Sequence, residues 1–228
     1  MSGQASEGQN GALSRQSKPE LLRAAEEHAR KTYPPSDWPH ISEVVDCTRR
    51  LAASACADQE IVTLAAYFHD ISRATSGPES HNVLSAAIAR EWLKERSYSV
   101  GRTERIAAAI IAHMRPQEGP TRESLPIESR ILYDADKISR ARGLGLVGAL
   151  VRLGQQTPWE ELSYAQLATA IQRGREVTDK AYQTLYTDAA RELAGPDYRR
   201  TIEFCDCILE LQVFRRAPES TQQAREFC

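Results

Sequence analysis

The stretch whose reading decides the fold is residues 61–70, Ile61-Val62-Thr63-Leu64-Ala65-Ala66-Tyr67-Phe68-His69-Asp70. Ile61, Leu64, Ala65, Phe68 and Ile71 recur three or four apart, the spacing of one helical stripe, so a helix starting near Asp58 is predicted here. The run ends on an imidazole beside a carboxylate. Such a pair at the buried end of an apolar helix costs free energy unless something satisfies it, and a metal ion could. The competing reading is a capped helix end with an incidental histidine. Taken alone, the doublet favours the incidental histidine, and the rest of the chain shifts the balance.

Working toward the N-terminus, Trp38-Pro39-His40 precedes a helix carrying Ile41, Val44, Val45, Thr48 and Leu51 at helical spacing, with His40 in its first turn. Before it, Pro19 opens a helix that runs to about Tyr33, where Pro34-Pro35 stops it. His28, flanked by Glu26 and Glu27, reads as a solvated surface histidine. Residues 1–17 are rich in Ser, Gly and Gln and predict a mobile tail.

Working toward the C-terminus, residues 74–80 with Gly77-Pro78 predict a loop. His81 then begins a helix with Leu84, Ile88 and Trp92 on one stripe, which His81 extends inward. A helix over 103–114 places His113 on the face of Ile106 and Ile110. Residues 115–126 form a polar, proline-containing loop, long enough to overhang a site. Next comes the helix IESRILYDADKI at 127–138. Here Asp134 shares a stripe with Ile127, Ile131 and Ile138, while Asp136 lies beside Leu132 and Ala135, so periodicity leaves open which aspartate faces inward.

The glycine-rich run from Gly143 to Val151 lacks the preceding strand of a phosphate loop and reads as close helix packing. Residues 162–194 read as largely helical with a break near Gly174. Gly195-Pro196 reads as punctuation, and 198–213 as a last amphipathic helix with Ile202, Phe204 or Cys205, Ile208, Leu209 and Leu211 inside. There is no internal repeat and no alternating β-branched run. The fold class is all-α.

Composition sets the outer bounds. The 228 residues suffice for one domain with a substantial core, and 41% hydrophobic with 26% charged residues is ordinary for a soluble globular protein. A formal net charge of −2 gives no reason to expect a nucleic-acid polymer or a membrane as partner, and no apolar run approaches a membrane span. Five scattered cysteines, an odd number, suit reduced thiols in a cytoplasm. Cys205 and Cys207 point roughly 200° apart on a helix, so they cannot chelate one ion as a pair and read as packing residues.

In chain order the inward polar groups are His40, His69-Asp70, His81, His113 and Asp134/Asp136. This series, with "HISEVV", "YFHDIS", "HNVLSAAIA", "AIIAHM" and "ILYDADKIS" in the same order, resembles the H…HD…D pattern of the HD-domain superfamily. The C-terminal "AYQTLYTDAARELA" and "RRTIEFCDCILELQ" resemble the last helices of small bacterial HD proteins predicted to be metal-dependent phosphohydrolases. The resemblance implies a single compact helical domain over 18–215, with the metal site in its bundle core and a flexible tail at 216–228.

It also implies a ligand set: His40, His69, Asp70 and Asp136, the last because the family aspartate sits in an Ala-Asp-basic-apolar segment, here Ala135-Asp136-Lys137-Ile138. Asp134 is then a supporting acceptor or helix-end group. Two neutral imidazoles and two carboxylates suit Mn²⁺, Fe²⁺, Co²⁺, Ni²⁺, Zn²⁺ or Mg²⁺. One ion is expected, with two as the alternative: His81 and His113 either hold a second ion or act as acid and base for the first. Arg73 and Lys137 are candidates for contacting substrate phosphate, against the alternative of solvated charges at helix ends. The implied function is hydrolysis of a phosphate ester or anhydride of a nucleotide or other small metabolite. A di-iron oxygenase using His40, His69, Asp70, His81, His113 and Asp136, and a non-catalytic regulatory helical module, are the competing readings. Substrate selectivity is expected in loops 74–80 and 115–126.

Overall fold

The computed structural model describes residues 17–76, 81–114 and 124–211. The expected tails, most of loop 115–126 and the Gly77-Pro78 part of loop 74–80 lie outside them. The described residues hold ten α-helices and no strand: α1 (Lys18–Thr32), α2 (Trp38–Ser54), α3 (Gln59–Phe68), α4 (Arg73–Ser76), α5 (His81–Lys94), α6 (Val100–Ala112), α7 (Ile127–Ser139), α8 (Gly145–Gln156), α9 (Tyr164–Gln183) and α10 (Asp188–Leu209). A π-helical segment, Arg140–Leu144, joins α7 to α8, and a 3₁₀ turn, Trp159–Glu161, precedes α9. None of these helices is long and apolar enough to cross a membrane.

The run 61–70 explains the layout. Every residue of α3 from Glu60 to Phe68 is buried. A helix apolar on all sides must be surrounded, and α1, α2, α5, α6 and α7 all pack against it. Asp58 starts it, its Oδ1 accepting from the backbone N–H of Glu60 at 3.2 Å and of Ile61 at 3.3 Å. The principal core joins α1–α3 and α5–α7 to Leu185, Ala190 and Ala194 near the α9–α10 connection. A separate small cluster of Leu146, Ile171 and Cys205 holds α8, α9 and α10 together.

Several local expectations are corrected. α5 turns Ser85, Ala86, Ala89, Trp92 and Leu93 inward and leaves Leu84 43% exposed. Small residues, rather than the larger aliphatic stripe, let α5 lie close to α6. His28 is half-buried and stacks on Phe68, with ring centroids 5.7 Å apart, so it is not a solvated surface group. Residues 73–76 are one short helix rather than loop.

Gly174 does not break α9. A Cβ there would lie 2.6 Å from the Cα of Leu146, which makes it the point of closest approach between α8 and α9. The break comes at 184–187 instead. Nor does Gly195-Pro196 end a helix: α10 runs through Pro196. Pro196 lies on the exposed side, so the Glu192 carbonyl that loses its donor can be hydrated. Cys205 is buried as expected, but Cys207, Phe204 and Leu211 are exposed.

Candidate metal centre

Each inward polar group of the H…HD…D series stands at or near a helix terminus, where the backbone turns and side chains from different helices can converge. His40 is in the first turn of α2, His69 caps the C-terminus of α3, and Asp70 follows it. His81 is the first residue of α5, His113 caps α6, and Asp136 lies within α7. His69, Asp70, His81, His113 and Asp136 are buried, and the His40 side chain is 30% exposed, so the site opens on the α2 side.

The donor atoms fall into two groups of three, His40/His69/Asp136 and Asp70/His81/His113, with the atoms of each group within 4.8 Å of one another. In the first, His40 Nε2 is 3.2 Å and His69 Nε2 4.0 Å from Asp136 Oδ1. In the second, His81 Nε2 and His113 Nε2 lie 3.0 and 3.3 Å from Asp70 Oδ1. Asp70 connects them, because its other oxygen, Oδ2, is 3.8 Å from His69 Nε2.

The imidazoles are oriented from behind. His69 Nδ1 lies 2.8 Å from the carbonyl of Ala66 and His113 Nδ1 2.5 Å from that of Ile110. Each Nδ1–H can donate to the turn that precedes it, which leaves Nε2 as an unprotonated lone pair aimed into the site. Burial pushes the His69 imidazole down to about 4, against a smaller opposing pull from Asp70. Burial would raise the Asp70 carboxyl, but the His69 and His113 rings beside it together hold it well below the carboxylate range. Asp136 is lowered likewise: burial opposes, and His40, Lys137 and His69 prevail. At neutral pH the site therefore offers a neutral His69 imidazole and the ionised carboxylates of Asp70 and Asp136.

That state suits a divalent cation. His40 Nε2, His69 Nε2 and Asp70 Oδ1 are buried and make no aligned hydrogen bond with any described residue. Unpartnered buried polar atoms cost free energy, and here two of them lie in one donor group and the third in the group beside it. The donor set, imidazole nitrogen with carboxylate oxygen, fits a borderline or hard divalent ion.

The two cations also sit at this site. Arg73 Nη1 is 2.7 Å from Asp70 Oδ2, with its side chain 48% exposed, and Lys137 Nζ pairs with Asp136 Oδ2. Each engages the carboxylate named as a ligand. Asp134 belongs to neither group of three. Its oxygens accept the backbone N–H of Tyr186 at 2.6 Å and of Thr187 at 2.8 Å, and the Thr187 hydroxyl at 2.7 Å. Thr187 is the N-cap of α10, so Asp134 ties α7 to the start of that helix.

Sequence reading missed the groups that hold the doublet in place. Tyr33 Oη accepts the Asp70 backbone N–H at 3.2 Å. The Ser72 hydroxyl donates to the His81 carbonyl at 2.8 Å and lies 3.0 Å from Ser85 Oγ, joining the turn after α3 to the start of α5. Ser85 was within reach of sequence reading, since it stands four residues after His81 on the same face. Tyr33 gave no local signal, because its partner is 37 residues away.

Comparison with known proteins fits this geometry. Residues 38–141, from the start of α2 to just past α7, match the HD domain family. Bacillus subtilis YpgQ, solved in complex with ADP, shares the fold with a TM-score of 0.66 and 20% identity, covering 89% of this chain and 97% of that one. An HD-superfamily hydrolase from Bacillus thuringiensis has a TM-score of 0.64 and 17% identity over 85% of this chain and 97% of its own. A predicted HD superfamily hydrolase from an uncultured Thermotogales bacterium has a TM-score of 0.54 and 21% identity over 82% and 91%. No curated protein matches the sequence significantly. The matched segment contains all six donors, five of them buried, so this part of the chain resembles an HD domain in both sequence and site.

Proposed function

We infer that this protein is a metal-dependent phosphohydrolase acting on a nucleotide or another small phosphorylated metabolite. The observation that carries the reading is the pair of three-residue donor groups joined through Asp70, with buried donor atoms that no described residue satisfies by an aligned hydrogen bond. The Bacillus thuringiensis HD-superfamily hydrolase, the predicted hydrolase from the Thermotogales bacterium and the ADP in the YpgQ complex point the same way.

His40, His69, Asp70 and Asp136 would hold one divalent ion, Mn²⁺, Fe²⁺, Co²⁺, Ni²⁺, Zn²⁺ or Mg²⁺. The chemistry such an ion supplies is acidification of a water and neutralisation of phosphoryl charge. The chain's own residues do the remaining work. Ala66 and Ile110 keep the His69 and His113 rings turned so that Nε2 faces the site. His81 and His113, both on Asp70 Oδ1, would hold a second ion or exchange a proton with the leaving group. Arg73 and Lys137 reach the site edge, where their remaining N–H groups would bind substrate phosphate. The thiols of Cys47, Cys56, Cys205 and Cys207 are free, as befits a cytoplasmic setting.

Phosphate or pyrophosphate release from a panel of esters and nucleotides, with metal content measured in parallel, tests the reading. Wild-type protein should turn over at least one class. His69→Ala should lose bound metal and drop the rate by about 10³-fold, the scale of losing one preorganised electrostatic contribution. Metal-loaded protein inert across the panel would count against hydrolysis. The bridging position of Asp70 favours one alternative, a di-iron oxygenase using all six donors. Two irons per chain together with O₂ consumption would establish that alternative, and a single ion would eliminate it.

A further inference from the structure

Between α8 and α9 lies a cavity of about 750 Å³ that shares no lining residue with the six donors of the metal centre. Its volume is that of a small-molecule pocket, roughly 300–1,000 Å³. Arg140 on its wall follows Asp136 by four residues along the α7–π run, about 6 Å further along the axis. The cavity thus begins one helical turn from the centre.

Its wall has two characters. Arg140, Arg152 and Arg173 supply three guanidiniums, and none of them pairs with a described residue. Glu176 is the single carboxylate among the lining residues, and its Oε1 accepts from Gln172 Nε2 at 3.0 Å. Like charges gathered around one concavity repel each other and favour an anion between them. The guanidinium fork matches phosphate oxygens in pairs. Leu144, Ala149, Leu153 and Val177 form an apolar stretch of the wall, beside the uncharged polar Gln156, Gln166 and Thr169.

The glycine-rich run accounts for the space. A Cβ on Gly145 would lie 2.9 Å from Val177 Cγ1, so that glycine serves helix packing. A Cβ on Gly148 would meet nothing within 4 Å, so there α8 presents bare backbone to the cavity.

We propose that this cavity binds an organic phosphate of nucleotide size, its phosphate on Arg140, Arg152 and Arg173 and its less polar body on the Leu144/Leu153/Val177 wall. The site goes beyond the hydrolase reading and does not depend on it, because none of its residues is a metal donor.

The test is titration of a fluorescent nucleoside diphosphate into the metal-loaded full chain and its variants. Saturable binding is expected, weakened about tenfold or more by the double charge reversal Arg152→Glu/Arg173→Glu. Gly148→Phe, which fills the cavity, should block it. His69→Ala should change it by less than about twofold, because His69 does not line the cavity. Inorganic pyrophosphate should displace the probe, and an unphosphorylated nucleoside should not. Absence of binding overturns the proposal. So does binding that survives both cavity variants, or that vanishes in His69→Ala alone, since the probe then sits at the metal centre. If Gly148→Phe proves unstable by melting temperature, the charge reversal at two exposed arginines decides. An inert enzyme that still binds the probe in the cavity would sink hydrolysis and leave this site standing. A competent hydrolase whose probe binding is indifferent to the cavity variants would do the reverse.

Discussion

The helices on either side of the π segment are built to different standards of packing. In α3 every residue from Glu60 to Phe68 is buried, whereas α8 buries Leu146 alone and exposes Val147 and Val151 by half or more. The first half surrounds a set of charged and polar groups whose positions must be fixed to a fraction of an ångström, and dense packing is what locks their rotamers. The second half encloses no such set. Its helices meet through a three-residue cluster and a glycine contact, and they leave a cavity between them. Rigidity is concentrated where ligands must be held, and open volume lies one turn away.

Substitutions at matched apolar positions probe this contrast most directly. Phe68→Ala, at a fully buried site against His28 and Trp92, should destabilise the fold by about 3–5 kcal/mol. Leu146→Ala should cost roughly 2 kcal/mol, at the low end of the range, because α8 can settle onto the gap. Denaturant melts that give equal losses would erase the distinction between the halves.

Asp134→Ala addresses the join between them. It removes the acceptor for two backbone N–H groups and the Thr187 hydroxyl, and a loss of about 2–4 kcal/mol is expected. Hydrogen exchange should locate the opening at the start of α10, with α3 still protected. Uniform loss of protection would mean that the two halves are one cooperative unit.

Acid should strike the dense half first. His69 is held neutral down to about 4, whereas an unfolded imidazole titrates at its ordinary value of 6.5. Between these values the unfolded chain binds the extra proton, so stability is full above the upper value and declines as pH falls through the window. The slope is about 1.4 kcal/mol per pH unit for one such group. His28, also lowered by burial, adds in the same direction. Asp70 and Asp136, both depressed, add loss only below the normal carboxylate range. Melting temperatures of chelator-treated protein across this window would test it, and a flat profile would contradict the burial of His69. The smallest effect belongs to Val151→Ser on the open face of α8, expected within about 0.5 kcal/mol of wild type. A larger loss would show that this face is covered in solution.

Most of the centre was readable because its residues sit where sequence signals are strongest. His40, His69, His81 and His113 mark helix starts and ends, and a polar group at such a boundary stands out against an apolar stripe. The choice between Asp134 and Asp136 did not follow from periodicity, since both face inward: one meets the backbone of α10 and the other meets imidazoles. Only the fold distinguishes a buried carboxylate that caps a helix from one that faces a cation. The inward face of α5 was misjudged because close helix contact selected Ser85, Ala86 and Ala89 over Leu84, and small residues carry little weight in a hydrophobic pattern. Gly174 and Pro196 act as breakers in isolation, but here a neighbouring backbone and a solvated carbonyl remove the reasons to break.

Asp134 also bears on how much chain makes a self-sufficient unit. The family match ends at residue 141, yet three hydrogen bonds that this fully buried carboxyl group accepts come from residues 186 and 187. A fragment cut to the family boundary would keep the buried carboxyl group and discard these three donors, in the same helical turn that presents Asp136. Residues 38–141 alone are therefore expected to be less stable than the same segment with α9 and α10 attached. Grafting or trimming this centre would have to carry the last two helices with it.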